Sequence, residues 1–259
     1  MDPAHTRRGE PALNAEPADQ LRLLDLQALD SRLDQLTHRA RTLPEHEQLN
    51  QLTKRRADVD TLVIAARTEV SDIERQQAKA DDDVDQVRQR AARDQERLDS
   101  GAVTSAKDLE SLQHEIATLA RRQADLEEVE LEVMERLEDA QRHLATLQAE
   151  AEELDASLAT VTAARDAAIA EIQAEARTVG TERVAVLPSI PEDLLALYTK
   201  LRESNAGIGA ARLHRRRCEG CRMELNAADL LRIKDAAADE VVRCEECRRI
   251  LVRTAESGL

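Results

Sequence analysis

Aromatic rings are almost absent from these 259 residues: one tyrosine, Tyr198, no phenylalanine and no tryptophan. A globular domain of this length fills its centre with rings, because they bury the most surface per side chain. Their absence argues against a single compact core. Glycine (seven) and proline (six) are also scarce, so the chain has few places to turn. No run of eighteen apolar residues occurs, and a membrane span is therefore not expected. The first ten residues, Met-Asp-Pro-Ala-His-Thr-Arg-Arg-Gly-Glu, hold no apolar stretch that would serve as a secretory signal. A cytoplasmic location is the expectation.

What is abundant is charge, at 34 % of residues with a net of −15, together with alanine, leucine and glutamine. Such a composition suits either a long coiled helix or disorder, and periodicity decides between them. From Leu109, alternating steps of three and four residues land on Leu112, Ile116, Leu119, Gln123, Leu126, Glu130, Val133, Leu137, Ala140, Leu144, Leu147, Ala151, Leu154, Leu158, Val161, Arg165, Ala168 and Ile172. Sixteen of these nineteen positions are apolar. Backward from Leu98 the same stepping reaches Leu49 with twelve apolar positions in fifteen, interrupted by Asp94, Gln77 and Arg56. An earlier seam runs through Leu26, Leu29, Leu33, Leu36, Ala40 and Leu43. Only a coiled-coil seam keeps phase over that length.

Asp99-Ser100-Gly101-Ala102-Val103-Thr104-Ser105 is the one strong interior breaker, and Ser105 with Asp108 three residues on is a capping-type helix start. Matching arms of about eighty residues on either side describe an antiparallel hairpin, about 120 Å long at 1.5 Å per residue. Stepping outward from the turn pairs Leu98 with Leu109, Ala91 with Ile116, Val70 with Leu137 and Leu49 with Leu158, and sets Gln77 opposite Glu130 as a polar layer. Pro44 lies where the seam slips by one residue, which predicts a kink or local break.

The fold expected is mainly α, a long antiparallel coiled-coil hairpin followed by a small C-terminal β zinc ribbon. Residues 1–17 are expected to be disordered, 18–184 to form the hairpin with its turn near 99–105, 185–210 to be a linker with a short helix, and 211–259 to be the ribbon. The ribbon rests on the four cysteines, which form two CxxC pairs, Cys218–Cys221 and Cys244–Cys247, with twenty-two residues between. Two such turns supply four thiolates for one structural zinc and leave no open coordination position. A disulfide framework lacks its compartment, and a thioredoxin-like pair lacks its βαβ context. Apolar runs at Val241-Val242-Arg243 and Ile250-Leu251-Val252 are read as ribbon strands, with a short helix over 226–235 between the pairs. So small a domain needs the metal for much of its stability.

Residues 212–259 carry eleven Lys/Arg against nine Asp/Glu, while the rest of the chain holds the whole negative excess. Arg215, Arg216, Arg217, Arg222, Arg243, Arg248 and Arg249 crowd the cysteines. They are candidates for contact with nucleic acid or a protein partner, or for balancing the dianionic zinc–thiolate centre. Aromatics to stack bases are missing beside them.

The hairpin whose second helix opens at Gly101-Ala-Val-Thr-Ser-Ala-Lys-Asp-Leu-Glu-Ser-Leu-Gln-His-Glu-Ile116, followed by the two CxxC pairs, resembles the bacterial C4-type zinc-ribbon family with an N-terminal coiled-coil hairpin domain. The resemblance implies the four cysteines as zinc ligands and no catalytic residues. Members from flagellated or chlamydial lineages are implicated in binding an alternative sigma factor, secretion-related proteins or messenger RNA. The expected function is a non-enzymatic adaptor that binds protein partners within the transcription or secretion machinery. The alternative is an RNA- or DNA-binding or polymerase-associated regulator acting through the basic ribbon or the hairpin tip, where Asp94, Glu96, Asp99, Asp108 and Glu110 gather. The six histidines, His5, His38, His46, His114, His143 and His214, form no motif with a nucleophile or acid, so no enzyme is expected. The chain is expected to be a monomer or weak homodimer.

Overall fold

The computed structural model describes residues 13–259. Residues 1–12, most of the terminus expected to be disordered and the place of His5, lie outside the described residues. The described residues divide into two compact units, one of residues 45–163 and one combining those up to Pro44 with 164–259.

In the first unit, helix α2 (Pro44–Asp99) and the leading part of α3 (Ala106–Val186) form the hairpin. All fifteen seam positions from Leu49 to Leu98, and every seam position from Leu109 to Val161, are buried or half-buried. Val59, Val63 and Ala66 pack with Leu147 and Ala151, and Val70 and Ile73 with Val133 and Ala140, with Leu137 in the same cluster. Val70 and Leu137 therefore fall in one cluster, in line with the outward stepping. Arginines cross between the arms, from Arg55 to Glu150 at 2.6 Å, Arg56 to Asp155 at 2.8 Å, Arg88 to Glu127 at 3.3 Å, and Arg90 to Glu115. These pairs are largely exposed, so each contributes at most about 1 kcal/mol and serves register more than stability.

At the polar layer, Glu130 shares a hydrogen bond with Asp81, about one helical turn beyond Gln77. Desolvation at the seam and the neighbouring Asp81 carboxylate hold the Glu130 carboxyl above its ordinary range. At the tip, α2 ends at Asp99, and Gly101 takes φ +68°, a backbone conformation that glycine adopts without a Cβ penalty. The Ser105 carbonyl accepts the Leu109 N–H at 3.0 Å as α3 begins.

The second unit joins α1 (Pro17–Arg41), residues 164–186 of α3, a 3₁₀ turn at Leu187–Ser189, α4 (Glu192–Ser204) and the ribbon. Helix α1 stops at Arg41, with Thr42 N–H closing on the His38 and Arg39 carbonyls, and Pro44 opens α2. The irregularity at Pro44 is thus a break of the helix, since proline fits the first turn of a new helix and not the interior of an old one. Leu36 and Leu43 continue the seam against Ile172 and Val179.

Two expected boundaries are corrected. Residues 13–17 are ordered: Ala15 is buried, its N–H donates to the Asp239 carbonyl, the Leu13 carbonyl accepts from Val241 N–H, and Pro17 opens α1. Residues 185–210 hold the expected short helix as α4, but it is packed into a core and not carried on a loose linker. Pro188 and Pro191 mark a tight turn and the residue before α4, and Leu194, Tyr198 and Leu201 of α4 are buried with Leu23 and Leu26 of α1. Proline here punctuates a packed segment.

Strand β1 (Ala210–His214) lies between β2 (Arg217–Cys218), antiparallel, and β3 (Ile250–Val252), parallel. The pleat sends Ala210, Ile250 and Val252 into the core shared with α1 and α4, while Ala211, Leu213 and Leu251 enter the ribbon's own core with Leu225, Leu230, Ile233 and Val242. All of β3 is buried, because it is covered on both faces. The expected strand at 241–243 is reduced to single contacts, a bridge from Arg243 to Ile250 and a hydrogen bond from Leu251 N–H to the Val242 carbonyl. Helix α5 (Ala227–Asp235) stands where it is expected, capped by the Asn226 side chain on Asp229 N–H.

Candidate metal centre

Both CxxC segments fold as the same turn. The Cys218 N–H donates to the Met223 carbonyl at 3.0 Å and the Arg222 N–H returns to the Cys218 carbonyl at 2.7 Å. In the second turn the Cys244 N–H donates to Arg249 O at 3.0 Å and the Arg248 N–H to Cys244 O at 2.8 Å. Each turn closes on an arginine with positive φ, Arg222 at 62° and Arg248 at 64°, a conformation that disfavours a side chain by roughly 1–2 kcal/mol.

The four Sγ atoms lie within 4.8 Å of one another, with Cys218 facing Cys247 and Cys221 facing Cys244 at 3.9 Å each. A tetrahedral zinc with Zn–S bonds of about 2.3 Å sets its sulfurs about 3.8 Å apart. Cys218 and Cys244 are buried and Cys221 and Cys247 half-buried, and all four are free thiols. The donor set therefore fits zinc, and a bound zinc supplies a crosslink between the two turns.

Burial pushes the Cys218 thiol well up, opposed by the N–H groups of Cys221 and Gly220 and reinforced by repulsion from Cys244 and Cys247. Burial likewise pushes Cys244 up to about 11, against the N–H groups of Cys247 and Glu246. For Cys247 burial is outweighed by hydrogen bonds from the Arg249 backbone and side chain and from the neighbouring thiols, so its thiol is held below the ordinary value. Burial thus makes the Cys218 and Cys244 thiolates costly on their own, a cost that a bound divalent cation offsets.

The seven arginines divide. Arg249 donates to the Ile208 carbonyl at 3.0 Å and the Asn205 carbonyl at 2.9 Å as well as to Cys247, so it ties the second turn to the end of α4. Arg248 pairs with Glu245 at 3.6 Å, and Arg243 is half-buried on its bridge to Ile250. Arg215 and Arg216 form the β1–β2 turn with φ of 45° and 66°, their N–H groups donating to the Glu256 and Ser257 carbonyls at 2.8 Å each. The side chains of Arg215, Arg216, Arg217 and Arg222 are exposed and have no ion-pair partner among the described residues. Hydrogen bonds to the thiols come from backbone N–H groups and from Arg249, so charge balance at the metal centre does not single out the other arginines.

Among the described residues no histidine joins the thiol cluster, and His214 instead meets Glu256 at 3.3 Å. Three polar anchors were not signalled by motif or spacing. Arg253 donates to the carbonyls of Ile233, Ala236, Ala237, Ala238 and Glu240 and so clasps the segment between the two turns. Gln27 on α1 receives the Gly209 N–H at 2.7 Å and donates to the Gly207 carbonyl at 2.9 Å. Asp30, 1 % exposed, receives Arg183 from α3 and Tyr198 from α4. The scarcity of aromatics was the only clue to the last, since a lone tyrosine in a ring-poor chain marks a place worth a polar anchor.

Comparison with known proteins follows this geometry. The model of the CT398-like coiled coil hairpin domain matches residues 26–206, and the C4-type zinc ribbon domain matches 217–251. The uncharacterized protein Rv2229c of Mycobacterium tuberculosis is 38 % identical over 93 % of this chain and 98 % of its own length. The uncharacterized protein ML1638 of Mycobacterium leprae is 30 % identical over 84 % and 93 %. A solved Mycobacterium smegmatis structure is 38 % identical, covers 93 % of this chain and 100 % of its own, and superposes with a TM-score of 0.81. CT398 of Chlamydia trachomatis, 18 % identical over 92 % and 98 %, shares the fold at a TM-score of 0.63.

Proposed function

Because this chain belongs to the family of CT398-like coiled-coil hairpin proteins, with a C4-type zinc ribbon behind the hairpin, we propose that it is a non-enzymatic adaptor that binds protein partners. One zinc per chain, held by Cys218, Cys221, Cys244 and Cys247, shapes the ribbon and takes no part in chemistry, since four thiolates fill the shell. The observation that carries the adaptor reading is apolar surface outside the seam. Ile64 is 65 % exposed and Leu62 52 % on α2, and on α3 Leu131 is 60 % exposed and lines one shallow depression with Met134, Gln77 and Leu137. Exposed apolar side chains on an otherwise charged arm suit protein contact, and the same acidic arm repels nucleic acid. Free thiols suit a reducing cytoplasm, and no helix among the described residues is long and apolar enough to cross a membrane.

The test is photo-crosslinking in cells, with a crosslinking amino acid at position 131 in one full-length chain and at position 223 in another. Defined protein adducts at either position, mapped by mass spectrometry, support the adaptor. Crosslinked RNA or DNA at position 223 with no protein adduct at either favours the nucleic-acid reading, which the unpaired arginines of the ribbon would then serve.

A further inference from the structure

We infer that the Arg215–Arg216 turn, together with Arg217, Arg222 and the exposed side chain of Met223, is the docking site for an acidic segment of a partner protein carrying an apolar anchor residue. The inference rests on the adaptor reading and gives it a partner chemistry.

The first support is a conflict between turn chemistry and sequence. A two-residue hairpin connection with positive φ at both central positions favours Asn-Gly, yet arginine occupies both. Two consecutive arginines in a conformation that disfavours a side chain point to a use for those side chains. The backbone of the turn is also fully engaged: Glu256 and Ser257 carbonyls receive both N–H groups, and buried Ser257 is anchored through its hydroxyl to the Leu213 carbonyl at 3.0 Å. Successive N–H groups of such a turn would otherwise cradle a small anion. Here they are occupied, so recognition falls to the guanidinium groups alone.

The second support is how charge is distributed over the ribbon. Glu245 neutralises Arg232 and Arg248, Glu256 lies beside Arg212, and carbonyls take Arg249 and Arg253. Around the first CxxC turn the exposed Arg215, Arg216, Arg217 and Arg222 outnumber the exposed carboxylates of Glu219 and Glu224, which leaves a net positive charge. There the Met223 carbonyl bonds Cys218 N–H, the Arg216 carbonyl accepts Leu225 N–H, and Arg217 bridges Glu224, so the arginine turn and Met223 lie on adjoining strands of backbone. Met223 is 53 % exposed in the midst of this charge. Guanidinium groups pair with carboxylates in a planar, two-bond geometry, and methionine adapts to varied apolar partners.

The same features disfavour nucleic acid as the occupant. Tyr198, the sole aromatic, is 1 % exposed in the core, so no ring is offered to a base.

The experiment uses the full-length, zinc-loaded protein and fluorescence anisotropy with three labelled probes of twelve units: a peptide of glutamates interleaved with leucines, a poly-glutamate peptide, and a single-stranded RNA. The expected order is mixed peptide over poly-glutamate over RNA. Replacing Arg215→Asn with Arg216→Gly should weaken mixed-peptide binding at least tenfold while zinc content is kept and the melting temperature holds or rises, because the new pair suits the turn. Met223→Gln should weaken the mixed peptide about threefold or more and leave poly-glutamate unchanged. The inference is overturned by peptide binding that is absent or indifferent to these changes. RNA that binds more tightly than the mixed peptide and is lost on the same substitutions overturns it too, as does loss of zinc or stability in the Asn-Gly variant. Crosslinks at position 131 that persist in that variant keep the adaptor reading separate from this one.

Discussion

The hydroxyl of Tyr198 donates to Asp30 Oδ2 at 2.7 Å, and that carboxylate, 1 % exposed, also receives Arg183 Nε at 2.5 Å and lies 3.4 Å from Arg202 Nε. One buried charge thereby joins α1, α3 and α4 at the place where the ribbon rests. Burial, followed by the hydrogen bond to Asp30 and that carboxylate's charge, pushes the Tyr198 phenol far above its ordinary value.

Tyr198→Phe should cost about 1.5–3 kcal/mol, the range for a hydrogen bond to a charged group. Asp30→Ala should cost more, about 3 kcal/mol, the low end for breaking a buried ion pair, because Arg183 and Arg202 keep partial exposure. Because the phenol's folded value is raised, its contribution is complete below the unfolded value of about 10 and is lost as pH climbs beyond it. Chemical denaturation of wild type and Tyr198→Phe should therefore differ at pH 8 and converge as the solution becomes strongly alkaline. A gap that widens with alkali contradicts the assignment.

Zinc removal should act on the second unit. Elemental analysis should return one zinc per chain. Cys218→Ser with Cys244→Ser should abolish it, expose the core around Tyr198 and leave the helical signal of residues 45–163 nearly intact. Binding should also release protons, most visibly from Cys218 and Cys244, and zinc affinity should fall as pH falls. Full zinc retention in the double variant defeats this.

Hairpin register is checked by disulfide trapping. Cysteines placed at positions 70 and 137, with the native four protected by zinc, should crosslink within a single chain, whereas bonds seen only in dimers would place the pairing between chains.

Glu130→Gln should raise the melting temperature of the hairpin at pH 7. The raised folded value of Glu130, from desolvation first and Asp81 second, means its favourable contribution is present below about pH 4 and lost as pH rises through the folded value. Wild type and variant should melt alike near pH 4, and an equal difference at both pH values would remove the ionisation of Glu130 from the explanation.

The hairpin was legible because a heptad repeat writes the buried face into every third or fourth residue, and Gly101 marks the turn. The four ligands were legible because CxxC spacing is local. What was hidden depends on contacts distant in sequence. Nothing adjacent to Asp30 tells of Tyr198, and nothing near Gln27 tells of Gly209. The prolines at 188 and 191 suggested a linker because their local meaning, a chain that turns, is the same in a packed segment and a loose one. The expected strand at 241–243 failed for a related reason: its valines are apolar for burial, and β3 takes its ladder partner from β1.

Strand β3 is three residues long and has no solvent face. A gene fragment cut at residue 210, the boundary expected between linker and ribbon, would part Ile250 and Val252 from Leu23, Leu26 and Tyr198. Each product would carry a raw apolar wound and should precipitate or be degraded. The metal module therefore cannot be exchanged as a cassette between relatives unless α1, α4 and the ends of the hairpin travel with it.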